Sequence, residues 1–173
     1  ERRMIIGINP GRFGAGITGI PFTDPIKLQE VCSIPNDLPK KSELSADFIH
    51  AMVARLGGAE IFFSKYYFSS VSPLGFTREG KNLNYYDRPE LAQSLKPFII
   101  RSFRKQLTFG INREVAFCLG EGANHKFLTR LNDELRLFKR IVPLAHPRFI
   151  MQYRRKKLAE YIEKYVSSLS LKV

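Results

Sequence analysis

The chain has 173 residues and a mass of 19.9 kDa, a size that fits one domain with a real hydrophobic core. Hydrophobic residues make up 44% of the sequence and charged residues 25%, values that exclude a disordered or fibrous protein. The 28 lysines and arginines outnumber the 16 aspartates and glutamates, giving a net charge of +12. This balance predicts a polyanionic partner, with nucleic acid ahead of an anionic membrane, and no apolar run is long enough to span a bilayer.

Cysteine and histidine are too sparse to indicate a metal site or a disulfide scaffold. The two cysteines, Cys32 and Cys118, cannot form a four-cysteine site, and the three histidines lack metal-ligand spacing. We therefore expect no metal and no cofactor. The sequence has no signal peptide, which predicts an intracellular protein of the bacterial cytoplasm and nucleoid, or of a eukaryotic nucleus. We expect residues 1–173 to form a single domain whose full polypeptide has a further N-terminal segment, because a predicted strand starts almost at once after Glu1.

The predicted elements alternate between short apolar runs and segments of helical period, a pattern typical of an α/β domain with a parallel sheet. In chain order they are a strand at 4–8, a helix at 44–56, a strand at 60–70, a helix starting at 87–90, a strand at 114–119, a short helix at 124–131, a strand at 138–144 and a last helix at 153–168. Ligands of such sheets bind beyond the carboxyl ends of the strands. The residues predicted at those ends are Asn9, Ser69, Ser70, Gly120 and His146.

The glycine-rich loop at 7–25 follows the first strand and contains a formal match to a dinucleotide-binding motif. Residues 14–19 formally match the dinucleotide fingerprint G-x-G-x-x-G. That fingerprint works only directly after a strand and at the start of a helix, whereas here the strand ends about six residues earlier and Ile20-Pro21-Phe22 follows. The phosphate-loop motif is also missing from the sequence, so a nucleotide-dependent oxidoreductase or transferase is only a minor alternative.

Asn9 and Phe22 are the residues of this loop that carry chemistry. The Asn9 amide can hold a water molecule, although an Asn-Pro pair can also simply form a turn. The Phe22 ring can stack on a base, a contact worth about 1–3 kcal/mol, or it can pack in the core. Asp24 is a candidate base, but as a helix N-cap for the segment from Lys27 onward it has a simpler interpretation.

The loop resembles the first motif of the uracil-DNA glycosylase superfamily, in particular a bacterial-like variant of its single-strand-selective monofunctional type. His146-Pro147 resembles the second motif, which begins His-Pro, while 70–76 is similar to the segment that reads the base edge and Asn82-Leu83 to a downstream element. Together these matches extend over nearly the whole chain. The positions that match the first motif are Gly7, Asn9, Pro10, Gly11, Phe13, Gly14, Thr18, Gly19, Pro21 and Phe22.

The resemblance implies a three-layer α/β/α fold with four mainly parallel strands in the order 2-1-3-4. It also implies a monofunctional glycosylase that removes uracil from DNA and leaves an abasic site for base-excision repair. Asn9 would position the attacking water, and His146, as a neutral imidazole, would donate to the departing base. Neither motif contains a lysine, so no lyase step is expected. The residues expected to contact the base are Ile8, Gly11, Phe13, Phe22 and Ser70.

Two departures from the family pattern suggest a wider range of bases. Many relatives have asparagine where this chain has Ser70, and relatives that reject thymine have tyrosine where it has Gly11. A short hydroxyl and an absent side chain leave room for other bases, so xanthine, hypoxanthine and 5-hydroxymethyluracil are expected beside uracil.

The segment after His146-Pro147 departs from the family as well, because Arg148 and an apolar run replace the usual Ser-Pro-Arg. We expect a monomer that contacts DNA through this segment, with an apolar wedge filling the space of the extruded base and basic residues meeting phosphates. The alternatives are inward packing and a solvated helix face. A non-catalytic nucleic-acid-binding domain of the same fold is the leading alternative function. The candidate wedge residues are Phe149, Ile150 and Met151, and the candidate phosphate contacts are Arg148, Arg154, Arg155 and Lys156.

Overall fold

A computed structural model describes residues 1–170 of the chain. Its strands are β1 (Arg2–Gly7), β2 (Tyr66–Ser70), β3 (Phe76–Arg78), β4 (Lys81–Leu83), β5 (Ile111–Leu119) and β6 (Arg140–Leu144). Its helices are α1 (Ala15–Thr18), α2 (Pro25–Glu30), α3 (Leu44–Arg55), α4 (Gly58–Lys65), α5 (Pro89–Leu107), α6 (Ala123–Leu135), α7 (Pro147–Tyr153) and α8 (Leu158–Leu169), with a 3-10 turn at Arg155–Lys157.

Four of the strands form one parallel sheet in the order β2-β1-β5-β6. The predicted strands one to four are β1, β2, β5 and β6, so the predicted order 2-1-3-4 is confirmed. Gly7 pairs with Ser70 on one side of β1, and Ile6 pairs with Cys118 on the other. The sequence patterns did not predict the small antiparallel hairpin that β3 and β4 form outside this sheet.

Helices cover both faces of the sheet and create two cores. Successive side chains of a strand point to opposite faces. Ile5 accordingly packs with residues of α3, α4, α7 and α8, whereas Met4 and Ile6 pack with residues of α5 and α6. This arrangement confirms the three-layer α/β/α architecture. Within residues 1–170 no helix combines the length and the apolar character that a membrane span requires.

Two predicted elements are wrong in their boundaries or type. The segment predicted as a strand from residue 60 is helix α4 up to Lys65, and only Tyr66–Ser70 is a strand. The run of aromatic residues in this segment is typical of a strand. In the helix, however, Phe62 is buried between Tyr66 and Phe68, and its ring centroid lies 4.8 Å from that of Tyr66 and 5.4 Å from that of Phe68. The predicted last helix is also divided, because α7 begins at Pro147 and α8 only at Leu158.

The buried carboxylate of Asp24 joins the starts of two helices. Its Oδ1 accepts a hydrogen bond from the Lys27 backbone N–H at 2.8 Å, which confirms the predicted N-cap of α2. Its Oδ2 accepts from the Glu43 backbone N–H at 2.9 Å, immediately before α3. One side chain therefore fixes the spacing between the end of the first loop and the residue that precedes α3.

We expect Asp24→Ala to lower the free energy of unfolding by about 3 kcal/mol, because it removes a helix cap and leaves a second backbone donor without its charged acceptor. Urea unfolding followed by circular dichroism measures this loss. Asp133→Ala, at an exposed position of α6, is the matched control and should change stability by about 0.5 kcal/mol at most. An equal effect of the two substitutions would contradict the stabilising role of the two Asp24 hydrogen bonds.

Candidate active site

A cleft of about 320 Å³ opens at the carboxyl edge of the parallel sheet. Asn9 follows β1 and His146 follows β6, and both line this cleft. β5 lies between those two strands, so their ends are separated by two strand spacings, about 10 Å. A slot of that width and volume is suited to a single planar ring system.

The Asn9 side chain is held in one orientation by main-chain groups at the end of β4 and just after it. Its Oδ1 accepts from the Tyr85 backbone N–H at 3.0 Å, and its Nδ2 donates to the Leu83 carbonyl at 3.2 Å. An amide oxygen has two lone pairs, of which the Tyr85 N–H uses one. The second lone pair is available to accept a hydrogen bond from a water molecule in the cleft.

A buried hydrogen-bond network supports Asn9 from behind. The Tyr85 hydroxyl donates to Asn124 Oδ1 at 3.0 Å. The Asn124 Nδ2 in turn donates to the carbonyls of Gly7 at 3.3 Å and Leu119 at 3.0 Å. Asn124 therefore ties the end of β1 to the end of β5, and Tyr85 connects this junction to Asn9.

His146 is a neutral hydrogen-bond donor. Its Nδ1 accepts from the Arg148 backbone N–H at 3.1 Å at the start of α7, so Nδ1 carries no proton and the ring proton sits on Nε2. Burial, followed by the nearby Arg148 charge, lowers the pKa of His146 to about 4. At neutral pH the imidazole is therefore uncharged and has one N–H that can bond to a ligand in the cleft.

Phe22 supplies an aromatic wall beside His146. The two ring centroids lie 6.2 Å apart, and the Phe22 ring packs on Phe68 at 5.4 Å. The backbone of Phe22 has a φ of +54°, which is rare for a residue with a large side chain. Gly7 makes room for the ring, because a Cβ there would lie 2.8 Å from Phe22 Cζ.

The other predicted base contacts divide into two groups. Ile8, Gly11 and Ser70 line the cleft together with Asn9 and His146. Phe13 lines a neighbouring groove instead, where its ring lies under the Arg12 guanidinium at 4.3 Å. The predicted contact of Phe13 with the base is therefore not supported by its position.

The space beside Gly11 is occupied. A Cβ at this glycine would lie 2.2 Å from Glu43 Oε1. The absent side chain therefore accommodates a carboxyl group of the protein, and the prediction that Gly11 leaves open room for a substituted base is wrong.

Helix α7 turns two of the three predicted wedge residues inward. Ile150 is 0% exposed and Met151 is 7% exposed, both within the core on one face of the sheet. A buried side chain cannot reach DNA, so their assignment as DNA contacts is corrected to core packing. Phe149 remains exposed on the rim of the cleft and packs against Tyr153, with ring centroids 5.7 Å apart.

The predicted phosphate contacts lie at different distances from the cleft. Arg148 lines it directly. Arg154 stacks over the Phe149 ring, with its guanidinium carbon 5.3 Å from the centroid. Arg155 and Lys156 are exposed in the 3-10 turn and are not among the residues that line the cleft. The basic cluster thus extends from the rim onto the outer surface.

With this geometry established, comparison with known proteins decides the family. The family model described as the uracil DNA glycosylase superfamily matches residues 1–170. The chain belongs to the uracil DNA glycosylase superfamily. Among solved structures, the crystal structure of wild-type SMUG2 from Pedobacter heparinus is similar, with a TM-score of 0.92 and 49% sequence identity over 97% of this chain and 74% of that one. The comparison with curated proteins finds no match.

Membership of the uracil DNA glycosylase superfamily confirms the resemblance that the two sequence motifs indicated. Together with the similarity to SMUG2, it supports a DNA glycosylase, a hydrolase of base-excision repair that acts on uracil in DNA. The strand order and the flanking helices agree with that family's fold.

Sequence reasoning missed three polar residues of this candidate site, namely Tyr85, Asn124 and Glu43. Tyr85 and Asn124 act through hydrogen bonds to residues 76 and 117 positions away, a distance that no local pattern reports. A signal for Asn124 was present, because an asparagine follows Gly120 at the end of a predicted strand. Glu43 had no such signal, since it precedes an ordinary amphipathic helix.

The state of His146 can be measured directly. We expect a 1H–15N correlation spectrum of the imidazole to show a neutral ring protonated at Nε2 at pH 7, and protonation only near pH 4, because burial and Arg148 disfavour the cation. His146→Gln assigns the signal by removing it. A ring protonated at Nδ1, or a midpoint near the ordinary histidine value of about 6.5, would contradict this description.

Proposed function

We propose that the protein is a monofunctional DNA glycosylase that hydrolyses the N-glycosidic bond of an extruded base and leaves an abasic site. Its substrates would be uracil and, beyond it, xanthine, hypoxanthine and 5-hydroxymethyluracil. The observation that carries the proposal is the placement of the Asn9 amide and the neutral His146 imidazole on one cleft of about 320 Å³, which Phe22 also lines, with its ring centroid 6.2 Å from that of His146.

The imidazole would lower the barrier by stabilising the leaving group. As the bond from C1′ to the base breaks, its electron pair moves onto the base, and negative charge develops on the base carbonyl oxygens. The Nε2–H of His146 is oriented in advance by the Arg148 backbone N–H and can donate to that oxygen. Donors fixed at the site of developing charge typically contribute about 10²–10³-fold in rate.

The amide would place the water. The free lone pair of Asn9 Oδ1 can hold a water molecule next to C1′, while the bonds to Tyr85 and Leu83 prevent the side chain from turning away. An amide does not accept a proton at neutral pH. The departure of the base therefore precedes the attack of water, as the stabilised leaving group also requires.

The range of bases depends on Ser70 at the end of β2. A hydroxyl can donate or accept, so it can bond to either edge of a pyrimidine or of a deaminated purine. The cleft offers an amide, an imidazole, a hydroxyl and a carboxyl, and no lysine is among the described residues that line it. These groups favour hydrolysis over a Schiff-base lyase step.

Labelled oligonucleotides test the activity. We expect alkali-dependent strand cleavage after incubation with DNA containing uracil, and slower release of xanthine, hypoxanthine and 5-hydroxymethyluracil. Asn9→Ala and His146→Ala should each slow base release by about 10²–10³-fold with little change in DNA affinity. His125→Ala on α6 is the matched control. DNA binding without release of any base would favour the non-catalytic alternative, and cleavage without alkali would contradict the monofunctional assignment.

DNA would approach along a groove that adjoins the cleft. The groove is lined by Arg12, Lys81 and Arg148, three cations that can neutralise phosphates beside the extruded nucleotide. Phe149 and Tyr153 stand on the rim, with side chains exposed enough to enter the vacated space in the stack. We propose that one protein monomer contacts the strand in this way and that Arg154, Arg155 and Lys156 meet phosphates further out.

We expect the double substitution of Phe149 and Tyr153 by alanine to reduce kcat/KM on uracil in duplex DNA about tenfold more than in single strands. A wedge offsets the unstacking cost of a few kcal/mol, and that cost is smallest in single strands. Phe109→Ala, an exposed aromatic residue away from the cleft, is the control. An equal loss on both kinds of DNA would contradict the wedge.

A further inference from the structure

Glu43 contributes a carboxyl group to the cleft that the mechanism above does not use. It lines the cleft and also the adjoining groove. A Cβ at Gly11 would lie 2.2 Å from its Oε1, and a Cβ at Gly14 would lie 2.0 Å from its Oε2. Two glycines of the loop that carries Asn9 therefore make room for the two oxygens of this one carboxyl group.

The backbone of Glu43 is fixed by a hydrogen bond, whereas its side chain does not cap the helix that it precedes. Its N–H donates to Asp24 Oδ2 at 2.9 Å, which fixes the residue relative to the first loop. Glu43 occupies the N-cap position of α3, yet its side chain accepts no capping hydrogen bond. In the described part of the chain no group donates a hydrogen bond to its carboxyl oxygens, so they are available to a ligand or to water.

The charges around Glu43 make its carboxylate a stronger base than an exposed glutamate. Burial raises the pKa of Glu43, and the negative Asp24 raises it further, while the positive Arg148 opposes both. The remaining titratable or charged groups that share the cleft or the adjoining groove with it are His146, Tyr153, Arg12 and Lys81.

We propose that Glu43 is the general base of this hydrolysis, accepting a proton from the water that Asn9 Oδ1 holds. The inference rests on the proposed function. The glycosidic electron pair first leaves with the base, whose anion the His146 N–H stabilises, and the water oxygen then bonds to the positively charged C1′. The water proton passes to the Glu43 carboxylate and then to solvent or to the released base. The negative carboxylate also stabilises the positive charge on the sugar.

This assignment divides two tasks between two side chains. The Asn9 amide is held rigidly and can orient water, but it cannot take its proton. The Glu43 carboxylate lies against Gly11 and Gly14, which follow Asn9 by two and five residues in the same loop, and it can take that proton. A side chain at position 11 or 14 would displace the carboxyl group from this position.

Glu43→Gln tests the proposal, because glutamine has the same shape and cannot accept the proton. We expect single-turnover release of uracil to slow by about 10²-fold, with DNA affinity and thermal stability unchanged. The rate of uracil release by the wild type should fall as pH drops through the raised pKa of Glu43. The pH profile of the variant should lack this decrease. Glu60→Gln, exposed on α4, is the matched control.

Chemical rescue separates a base from a structural support. Added formate should restore part of the activity of Glu43→Ala and none of that of His146→Ala. If the wild type releases uracil and Glu43→Gln keeps its rate and pH profile, or if formate fails to rescue Glu43→Ala, the assignment of Glu43 is overturned while the proposed function stands. If the wild type releases no base from any oligonucleotide, the proposed function itself fails.

Discussion

Parallel pairing of β1 with both β2 and β5 is the constraint on which the site depends. Parallel strands all end at the same edge, at a regular spacing of about 4.8 Å. Ser70, Asn9 and His146 follow or end three of these strands, so three groups distant in the chain are brought to one edge. The strand between Asn9 and His146 sets the width of the cleft, and that width suits one base.

Polar anchors then convert this edge into a rigid site. Asn9 and Asn124 are each held by hydrogen bonds to main-chain groups. Asp24 accepts a hydrogen bond from the backbone N–H of Glu43 and so fixes the position of that residue. A buried polar side chain that satisfies its partners loses its freedom to turn, because any other orientation would leave donors or acceptors unpaired. The site therefore has its dipoles oriented before a substrate arrives, which is the arrangement that stabilises developing charge most effectively.

Local patterns failed where tertiary packing overrode them. The aromatic run after residue 60 resembled a strand, but Phe62 packs between Tyr66 and Phe68 only if the chain first makes a helix. The apolar residues after His146 resembled a continuous wedge, whereas a helix sends Ile150 and Met151 into the core and leaves Phe149 outside. In both segments composition indicated apolar burial correctly, and the direction of each side chain depended on contacts with distant elements.

The sequence by itself determined the family, the α/β class with its strand order, and the two side chains that we propose as catalytic. Motif spacing and strand ends are local properties, so Asn9 and His146 could be identified without coordinates. Only the tertiary structure decided the tautomer of His146, the partners of Asn9 and the place of Glu43 beside the first loop. Those features depend on which backbone groups meet in space, and the chain separations involved leave no periodic trace in the sequence.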